Sequence, residues 1–174
     1  MDKTLYSGVS EITPLTLAVL PRYGGNGSLV SCVLDAQGEY MTRYAPTKVI
    51  ERACKFFGSS LEGRQTGTTE VAGITHKVPI SIDPSSGMYL FPTLSPINPK
   101  CVWISHTHIA RLREAANQCT EVLFKNGKKI IVDVSYGSMT NQVNRTAQFR
   151  YLLNERIQRH HSPRNRDDDP DLTE

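Results

Sequence analysis

The most informative polar residues lie in the last quarter of the chain, where amide and guanidinium side chains recur at helical spacing. At 100° per residue, five of them fall within roughly 60° of a common direction: Asn141, Arg145, Gln148, Arg156 and Arg159. Guanidinium groups bind phosphates, and Arg, Asn and Gln side chains also hydrogen-bond to base edges. The stripe predicts a nucleic-acid contact, with a plain solvated helix face as the alternative.

A second basic feature is a group of three lysines, Lys125, Lys128 and Lys129, around Asn126-Gly127. An Asn-Gly pair between two apolar runs predicts a hairpin with a two-residue type I′ turn, joining strands at 121–125 and 128–134. A basic hairpin can follow a DNA groove as a β-ribbon and contact phosphates. The alternative is that the lysines only keep an exposed turn soluble.

Arg64 stands in a stretch rich in glycine and hydroxyl side chains, residues 58–73, which we interpret as a flexible segment. Backbone N–H groups, hydroxyls and one guanidinium can together hold a phosphate. The stretch is not a Walker A loop, since no Gly-Lys-Ser or Gly-Lys-Thr follows. A mobile loop and a phosphate cradle are both compatible with this composition.

Two histidines, His106 and His108, raise the alternative of a metal-dependent hydrolase or nuclease, with Cys101 and Cys119 near in sequence. On a strand the histidines would share a face, but their spacing matches no usual zinc pattern. Ser105 and His106 make a poor nucleophile and base, because neighbouring strand side chains point to opposite faces. We therefore expect structural histidines, no metal, no cofactor and no enzymatic activity.

The scaffold predicted by the apolar pattern consists of strands and hairpins. Pro21 and the glycines after it end the first strand, and Thr47 caps a helix over 48–57 that has Arg52 and Lys55 on its polar side. A turn is expected at 83–87. The expected strands before the Asn-Gly hairpin are 12–20, 29–34, 40–44, 74–82, 88–94 and 101–108.

Two further helices complete the prediction. A short one is expected at 109–117, and one of about twenty residues runs from an N-cap at Ser138 to near His160. The side chains expected to face inward from the long helix are Met139, Val143, Ala147, Leu153 and Ile157. The order of elements predicts a single α+β domain, mainly antiparallel, with a central helix and a long C-terminal helix.

The charge is unevenly distributed along the 174 residues. The formal net charge is +3, but Ser162 to Glu174 hold two arginines and five acids, or −3, which leaves +6 for residues 1–161. The positive net charge of residues 1–161 favours a polyanionic partner. We interpret 1–161 as the binding domain and 162–174 as a disordered acidic tail. Four scattered cysteines and the lack of a signal or membrane-span pattern predict a cytoplasmic protein with no membrane partner.

Several uncommon strings stand in order from about residue 12 to residue 157. They are Phe56-Phe57-Gly58-Ser59-Ser60-x-x-Gly63-Arg64-x-x-Gly67-Thr68-x-Glu70-Val71, Ile74-x-His76-Lys77-x-Pro79-Ile80, Asp83-Pro84-Ser85, Leu90-Phe91-Pro92-Thr93-Leu94-Ser95, Pro99-x-Cys101-x-Trp103-Ile104-Ser105-His106-x-His108 and Asn141-Gln142-Val143-x-Arg145-Thr146-Ala147. In this register the sequence resembles the ComK family. Together they are far more specific than any single motif above.

The resemblance implies a transcription activator of DNA-uptake genes that binds paired A/T-rich boxes of double-stranded DNA, largely through the minor groove. It also implies homodimers, higher assembly on DNA, a nucleoid location and contact with RNA polymerase. A narrow A/T-rich minor groove has enhanced negative potential, so we carry Arg64 and Arg145 over as groove-reading residues. The expected phosphate contacts are Arg52, Lys55, Lys77, Lys125, Lys128 and Lys129, with Asn141, Gln148 and Arg156 from the helix stripe.

The chain departs from the family at its C-terminal end. In the family, a C-terminal extension delivers the protein to a Clp protease through an adaptor, whereas this sequence ends in the short acidic stretch 164–174. Unlike the other properties that the resemblance implies, adaptor-controlled degradation is therefore not predicted for this chain. A rival hypothesis is a protein-interaction module of the same fold that has lost DNA binding and engages a partner through its tail. The +6 charge of residues 1–161 speaks against that rival.

Overall fold

The computed structural model describes residues 10–161, which form two antiparallel sheets and three α-helices. The predicted α+β class is confirmed, and the tail predicted for 162–174 lies outside the described residues. The elements are β1 (Thr16–Tyr23), β2 (Leu29–Asp35), β3 (Glu39–Thr42), α1 (Pro46–Phe56), α2 (Leu61–Ala72), β4 (Ile80–Asp83), β5 (Met88–Pro92), β6 (Trp103–Ser105), β7 (Ile109–Glu114), β8 (Thr120–Phe124), β9 (Lys129–Val132) and α3 (Tyr136–His161).

The larger sheet has the strand order β3-β2-β1-β6-β5-β4, and its central strands are buried on both faces, whereas the edge strand β3 is exposed. Its central strands therefore read as continuous apolar runs, since both side-chain sets need apolar neighbours. Val19, Leu90 and Trp103 face the cluster that contains α1, whereas Phe91 and Ile104 face the cluster that contains the smaller sheet. The domain thus has three layers with the larger sheet in the middle.

The smaller sheet, in the order β7-β8-β9, covers the second face together with the first turns of α3. Val122, Phe124 and Val132 point inward, and Met139 of α3 is fully buried against the same cluster. Further along, Phe149 of α3 packs in a third cluster beside α2. Helix α3 therefore joins the smaller sheet to α2 and the loop that follows it.

The predicted flexible segment at 58–73 is wrong, because most of it is helix α2. Ser60 caps the helix by accepting a hydrogen bond from the Gly63 N–H at 3.0 Å, and Gly73 ends it in the left-handed conformation. The fully buried Thr68 hydroxyl donates to the Pro79 carbonyl at 2.7 Å. Capping and this tertiary contact outweigh the low helix propensity of the internal glycines.

The predicted short helix at 109–117 is also wrong, since residues 109–114 form strand β7. Ile109 pairs with Phe124 and Leu112 with Val122, and both apolar side chains of β7 pack on the second core cluster. The spacing of Ile109 and Leu112 fits one turn of a helix, but an extra residue in the strand between them also explains it. Residues 109–114 form a strand because they pair with β8 and bury these two side chains.

The hairpin at Asn126-Gly127 is confirmed, but its turn is not type I′. Gly127 has φ +89°, while Asn126 does not adopt a positive φ, which a type I′ turn requires. The Gly127 N–H donates to the Phe124 carbonyl, and the Phe124 N–H donates to the Lys128 carbonyl. The loop therefore has three residues, with the glycine in the left-handed position.

Strand β1 continues through Pro21, which was expected to end it. Strand β6 pairs with β1 only at Ala18 and Val19, so the chain at Pro21 has a neighbour only on the β2 side. Proline is tolerated on such an edge because no ladder hydrogen bond is lost there. The predicted strand 74–82 is shorter as well, since only residues 80–83 pair as β4.

Both main helices are present, but their caps differ from the prediction. Ala45 precedes α1 with Pro46 in its first turn, and the Thr47 hydroxyl instead donates to the Pro96 carbonyl at 2.6 Å. Helix α3 begins at Tyr136, after Ser135 rather than Ser138. Its buried residues are Met139, Gln142, Thr146 and Phe149, whereas Ala147, predicted to face inward, is exposed.

Candidate nucleic-acid interface

The α3 stripe borders a hydrogen-bonded network around Gln142, a buried residue that is not itself part of the stripe. This side chain is 1% exposed; its Nε2 donates to the Lys77 carbonyl at 2.9 Å and to the Pro92 carbonyl at 2.8 Å. Its Oε1 accepts a hydrogen bond from Arg145 at 2.6 Å, and Arg145 also donates to the His76 carbonyl. The network fixes the loop at residues 76–77, where Lys77 has a positive φ of 44°.

The stripe residues divide into bonded and free ones. Arg156 donates to the Glu70 carbonyl of α2 at 3.4 Å, and Arg159 lies 3.8 Å from the Glu155 carboxylate. Asn141 and Gln148 are exposed on the same side of the helix. Burial lowers the pKa of the Arg145 guanidinium below its usual value. Arg145 is thus partly a structural residue, although its guanidinium has N–H groups beyond the two in use.

Arg64 lies on α2 and not in a loop. Its Nε is buried and has no hydrogen-bond partner among residues 10–161, and the residue lines a cavity with Ser59, Gly67 and Phe149. The pKa of Asp83 is lowered, first by a hydrogen bond from Ser86 and to a lesser degree by the positive charge of Arg64. The guanidinium therefore lies within electrostatic range of the β4–β5 turn.

The two α1 candidates, Arg52 and Lys55, have anionic or aromatic neighbours. Arg52 lies 3.9 Å from the Glu11 carboxylate and 4.3 Å from the centre of the Tyr44 ring. Lys55 lies 3.0 Å from the Glu51 carboxylate, whose pKa is lowered by hydrogen bonds from Lys55 and from a second lysine. A phosphate would have to compete with these partners.

The hairpin candidates differ from one another in exposure. The Lys128 ammonium donates to the Asp35 carbonyl at 2.9 Å, and the Asn126 amide donates to the Ala36 carbonyl at 3.4 Å. The tip of the hairpin therefore packs against the β2–β3 turn and is not a free ribbon. Lys125 and Lys129 are exposed, and Lys129 lies 3.8 Å from Glu121.

The two histidines hold the backbone in place. His106 Nε2 lies 3.2 Å from the Val143 carbonyl and must carry the proton, while Nδ1 accepts a hydrogen bond from Arg150 at 2.9 Å. Burial and then the Arg150 charge lower the pKa of His106 to about 4. His108 Nε2 lies 2.6 Å from the Pro14 carbonyl. These histidines occupy a 3₁₀ turn, so the predicted shared strand face is wrong.

Metal chemistry therefore receives no support from these two side chains. Across residues 10–161, no three His, Cys, Asp or Glu side chains converge in a way that could hold a metal ion. Burial raises the pKa of the Cys54 thiol to about 11 and also raises that of Cys101. Neither thiol has the lowered pKa of a reactive nucleophile.

The candidate residues occupy four separate places: α1, α2, the α3 stripe with loop 76–77, and the hairpin. Within the described part of the chain, no hydrogen bond or ion pair joins a candidate of one place to a candidate of another. Three further arginines are not among the predicted candidates: Arg111 and Arg113, which are exposed on β7, and Arg150, which donates to His106. The signal for the first two was Leu112 between two arginines, the alternation of a strand with one buried face.

None of the helices in residues 10–161 has the length and apolar character needed to cross a membrane. No solved structure matches the chain. The chain is 42% identical over 147 residues to the competence transcription factor of Bacillus subtilis (strain 168), covering 84% of this chain and 76% of that protein. The family model described as ComK protein matches residues 8–158, so this chain belongs to the ComK family.

Proposed function

We propose that this chain is a transcription regulator of competence genes that acts by binding double-stranded DNA. The observation that carries the proposal is the 42% identity, over 84% of the chain, to a protein named as a competence transcription factor. The +6 charge of residues 1–161 supports a polyanionic partner. No enzymatic step, metal or cofactor is part of the proposal.

The preferred target is A/T-rich DNA, approached from the minor groove. The α3 stripe and loop 76–77 support this proposal because the Gln142 network places Lys77 beside Arg145. Arg145 holds the loop and offers its remaining N–H groups to DNA, while the exposed Asn141 and Gln148 extend the same surface. Positive side chains in a narrow A/T-rich groove respond to its shape and its potential together.

The other candidates are proposed as contacts to the phosphate backbone. Arg64 offers a partly exposed cation on α2, and the stripe's Arg156 is exposed at the far end of α3. The remaining contacts proposed are Arg52, Lys55, Lys125 and Lys129. Lys128 is reassigned to holding the hairpin against β2, because its ammonium already binds the Asp35 carbonyl.

The partners and the location that we propose are those that membership of the ComK family implies. We propose that the protein works in the cytoplasm on the nucleoid, as a homodimer that assembles further on DNA, and that it contacts RNA polymerase. Residues 1–161 would form the DNA-binding domain and residues 162–174 a separate acidic tail.

The test is equilibrium binding of the purified protein to two duplexes of equal length, one with two A/T-rich boxes and one G/C-rich. Fluorescence anisotropy is measured for each duplex across a salt series. We expect salt-dependent binding with at least a tenfold preference for the A/T-rich duplex, which is about 1.4 kcal/mol. Absence of salt-dependent binding to both duplexes would contradict the proposal and favour the protein-interaction module.

A further inference from the structure

We propose that the outer face of the β7–β8–β9 sheet binds the phosphate backbone of double-stranded DNA, with Arg111 and Arg113 as its main contacts. The inference rests on the proposed function and names a DNA-contacting surface that the sequence prediction did not contain. Residues 109–117 were expected to be helical, and on a helix two arginines two positions apart would point roughly 200° apart. On strand β7 they share one face.

The register of the sheet defines this face. Arg111 pairs with Leu123, which pairs with Lys129 on the far strand. The neighbouring row consists of Arg113, Glu121 and Ile131 in the same order. The alternate positions of the three strands point to the opposite side, where they pack on the second core cluster. Both arginines therefore point away from the core, and both are exposed.

The charges on the outer face are unbalanced. Its two rows carry three cations, Arg111, Arg113 and Lys129, and one carboxylate, Glu121, which lies 3.8 Å from the Lys129 ammonium. Asp133, exposed one residue beyond β9, adds a second carboxylate at the end of the face. Neither arginine makes a side-chain hydrogen bond or an ion pair with any residue between 10 and 161. The two α1 candidates and Arg145, in contrast, already have protein partners. An unpartnered guanidinium keeps all its N–H groups free for phosphate oxygens.

The shape of the face fits an extended polyanion. Residues two apart on a strand are about 6.8 Å apart, and strands two apart in a sheet are about 10 Å apart. Arg111, Arg113 and Lys129 thus form a triangle of positive groups on a shallow sheet surface. Leu123 is half-buried, and Ile131 is 57% exposed between the charges. β-Sheet elements of this kind lie against DNA in known recognition modes.

A competing explanation is that β7 is an edge strand and its charges only prevent edge-to-edge pairing. Edge protection needs charge near the open edge but sets no requirement for salt-dependent DNA binding. The two explanations therefore differ in their effect on DNA affinity.

The experiment compares the full chain with the double variant Arg111→Ala/Arg113→Ala on the A/T-rich and G/C-rich duplexes. The matched control is Arg22→Ala, an exposed strand arginine of β1 that pairs with Val30, at the end of β2 away from the hairpin. A charge-retaining variant, Arg111→Lys/Arg113→Lys, separates charge from fold. Circular dichroism and thermal unfolding check that every variant is folded.

We expect the alanine variant to lower the slope of log K against log[salt] by about 1.8, or about 0.9 for each phosphate contact, on both duplexes. Between 50 and 200 mM salt its affinity would then fall about twelvefold less than that of the wild type. The lysine variant should retain most of the slope, and Arg22→Ala should match the wild type.

Two outcomes would overturn the inference and can be told apart. If the wild type shows salt-dependent binding and the folded alanine variant has the same slope, the outer face is not a DNA contact, while the proposed function stands. If the wild type binds neither duplex in a salt-dependent way, the proposed function fails and this inference fails with it.

Discussion

Replacing Gln142 by alanine should destabilise the protein strongly, because this buried residue of α3 holds loop 76–77 and the stripe residue Arg145 in place. The side chain is 1% exposed and makes three hydrogen bonds, two to backbone carbonyls and one to Arg145. Bonds between neutral groups contribute about 1 kcal/mol each and bonds to a charged group about 2 kcal/mol. We expect Gln142→Ala to lower the free energy of unfolding by about 4 kcal/mol, equivalent to roughly 8–16 °C in Tm.

The assay is urea unfolding followed by the fluorescence of Trp103, the single tryptophan of the chain and fully buried. Gln142→Met keeps most of the side-chain volume and so separates the lost hydrogen bonds from the cavity. The control is Gln148→Ala, an exposed residue of the same helix, which should change stability by less than about 0.5 kcal/mol. A loss below about 1 kcal/mol for Gln142→Ala would refute this account of the network.

Three further predictions concern stability. The folded pKa of His106 is about 4 and its unfolded pKa about 6.5, so the unfolded state binds the proton first and the wild type loses stability as the pH falls from 6.5 to 4. His106→Gln should lack this loss, as urea unfolding at pH 7, 6 and 5 would show. Ser60→Ala removes the α2 cap and should lower the free energy of unfolding by about 1 kcal/mol, measured in the same way at pH 7. Lys128→Ala removes the contact with Asp35 and should lower it by about 1 kcal/mol, leaving the salt slope of DNA binding unchanged in the anisotropy assay.

Each of these predictions has a control of its own. A gap between wild type and His106→Gln that stays constant from pH 7 to 5 would rule out the proton linkage. Ser59→Ala removes a neighbouring hydroxyl that does not cap α2, so equal losses for Ser59→Ala and Ser60→Ala would argue against the cap. For the hairpin, Lys125→Ala should keep full stability, and a drop in the salt slope with Lys128→Ala would restore that lysine as a phosphate contact.

Local signals in the sequence were sufficient for the hairpin, α1 and α3. An Asn-Gly pair needs only its two residues to favour a reversal of the chain. An amphipathic run such as 48–57 indicates by itself which side of the helix is apolar. Residue type alone does not identify the caps, because Thr47 and Ser138 both have side chains that can cap a helix and neither of them does so. Thr47 instead serves the Pro96 carbonyl and the Trp103 indole, contacts with residues far away in the sequence.

The errors at α2 and β7 have a common physical origin. The composition of 58–73 disfavours a helix, which is held by the hydrogen bond from Thr68 to the Pro79 carbonyl and by packing of Val71 in the cluster that contains Phe149 of α3. Ile109 and Leu112 have a spacing that suits a helix, and only pairing with β8 makes the segment a strand. Tertiary contacts decide such segments, and a single sequence does not contain those contacts.

The candidate site was predictable in kind but not in arrangement. Basic and amide side chains were correctly placed on α3, yet their separation into bonded and free groups depends on carbonyls of loop 76–77 and α2. In the sequence, Gln142 stands out only as part of a family string, and its central place in the network depends on burial that helical spacing alone does not give. Arg111 and Arg113 were hidden by the wrong secondary structure, because facing residues depend on the period of the element.

The most direct test of minor-groove recognition replaces every A·T pair of the A/T-rich boxes by inosine·cytosine. Inosine lacks the guanine N2 amino group, so such a pair resembles A·T in the minor groove and G·C in the major groove. We predict that the wild-type protein binds the substituted duplex within about threefold of the original, which is about 0.7 kcal/mol. Affinity reduced to that for the G/C-rich duplex would contradict recognition through the minor groove.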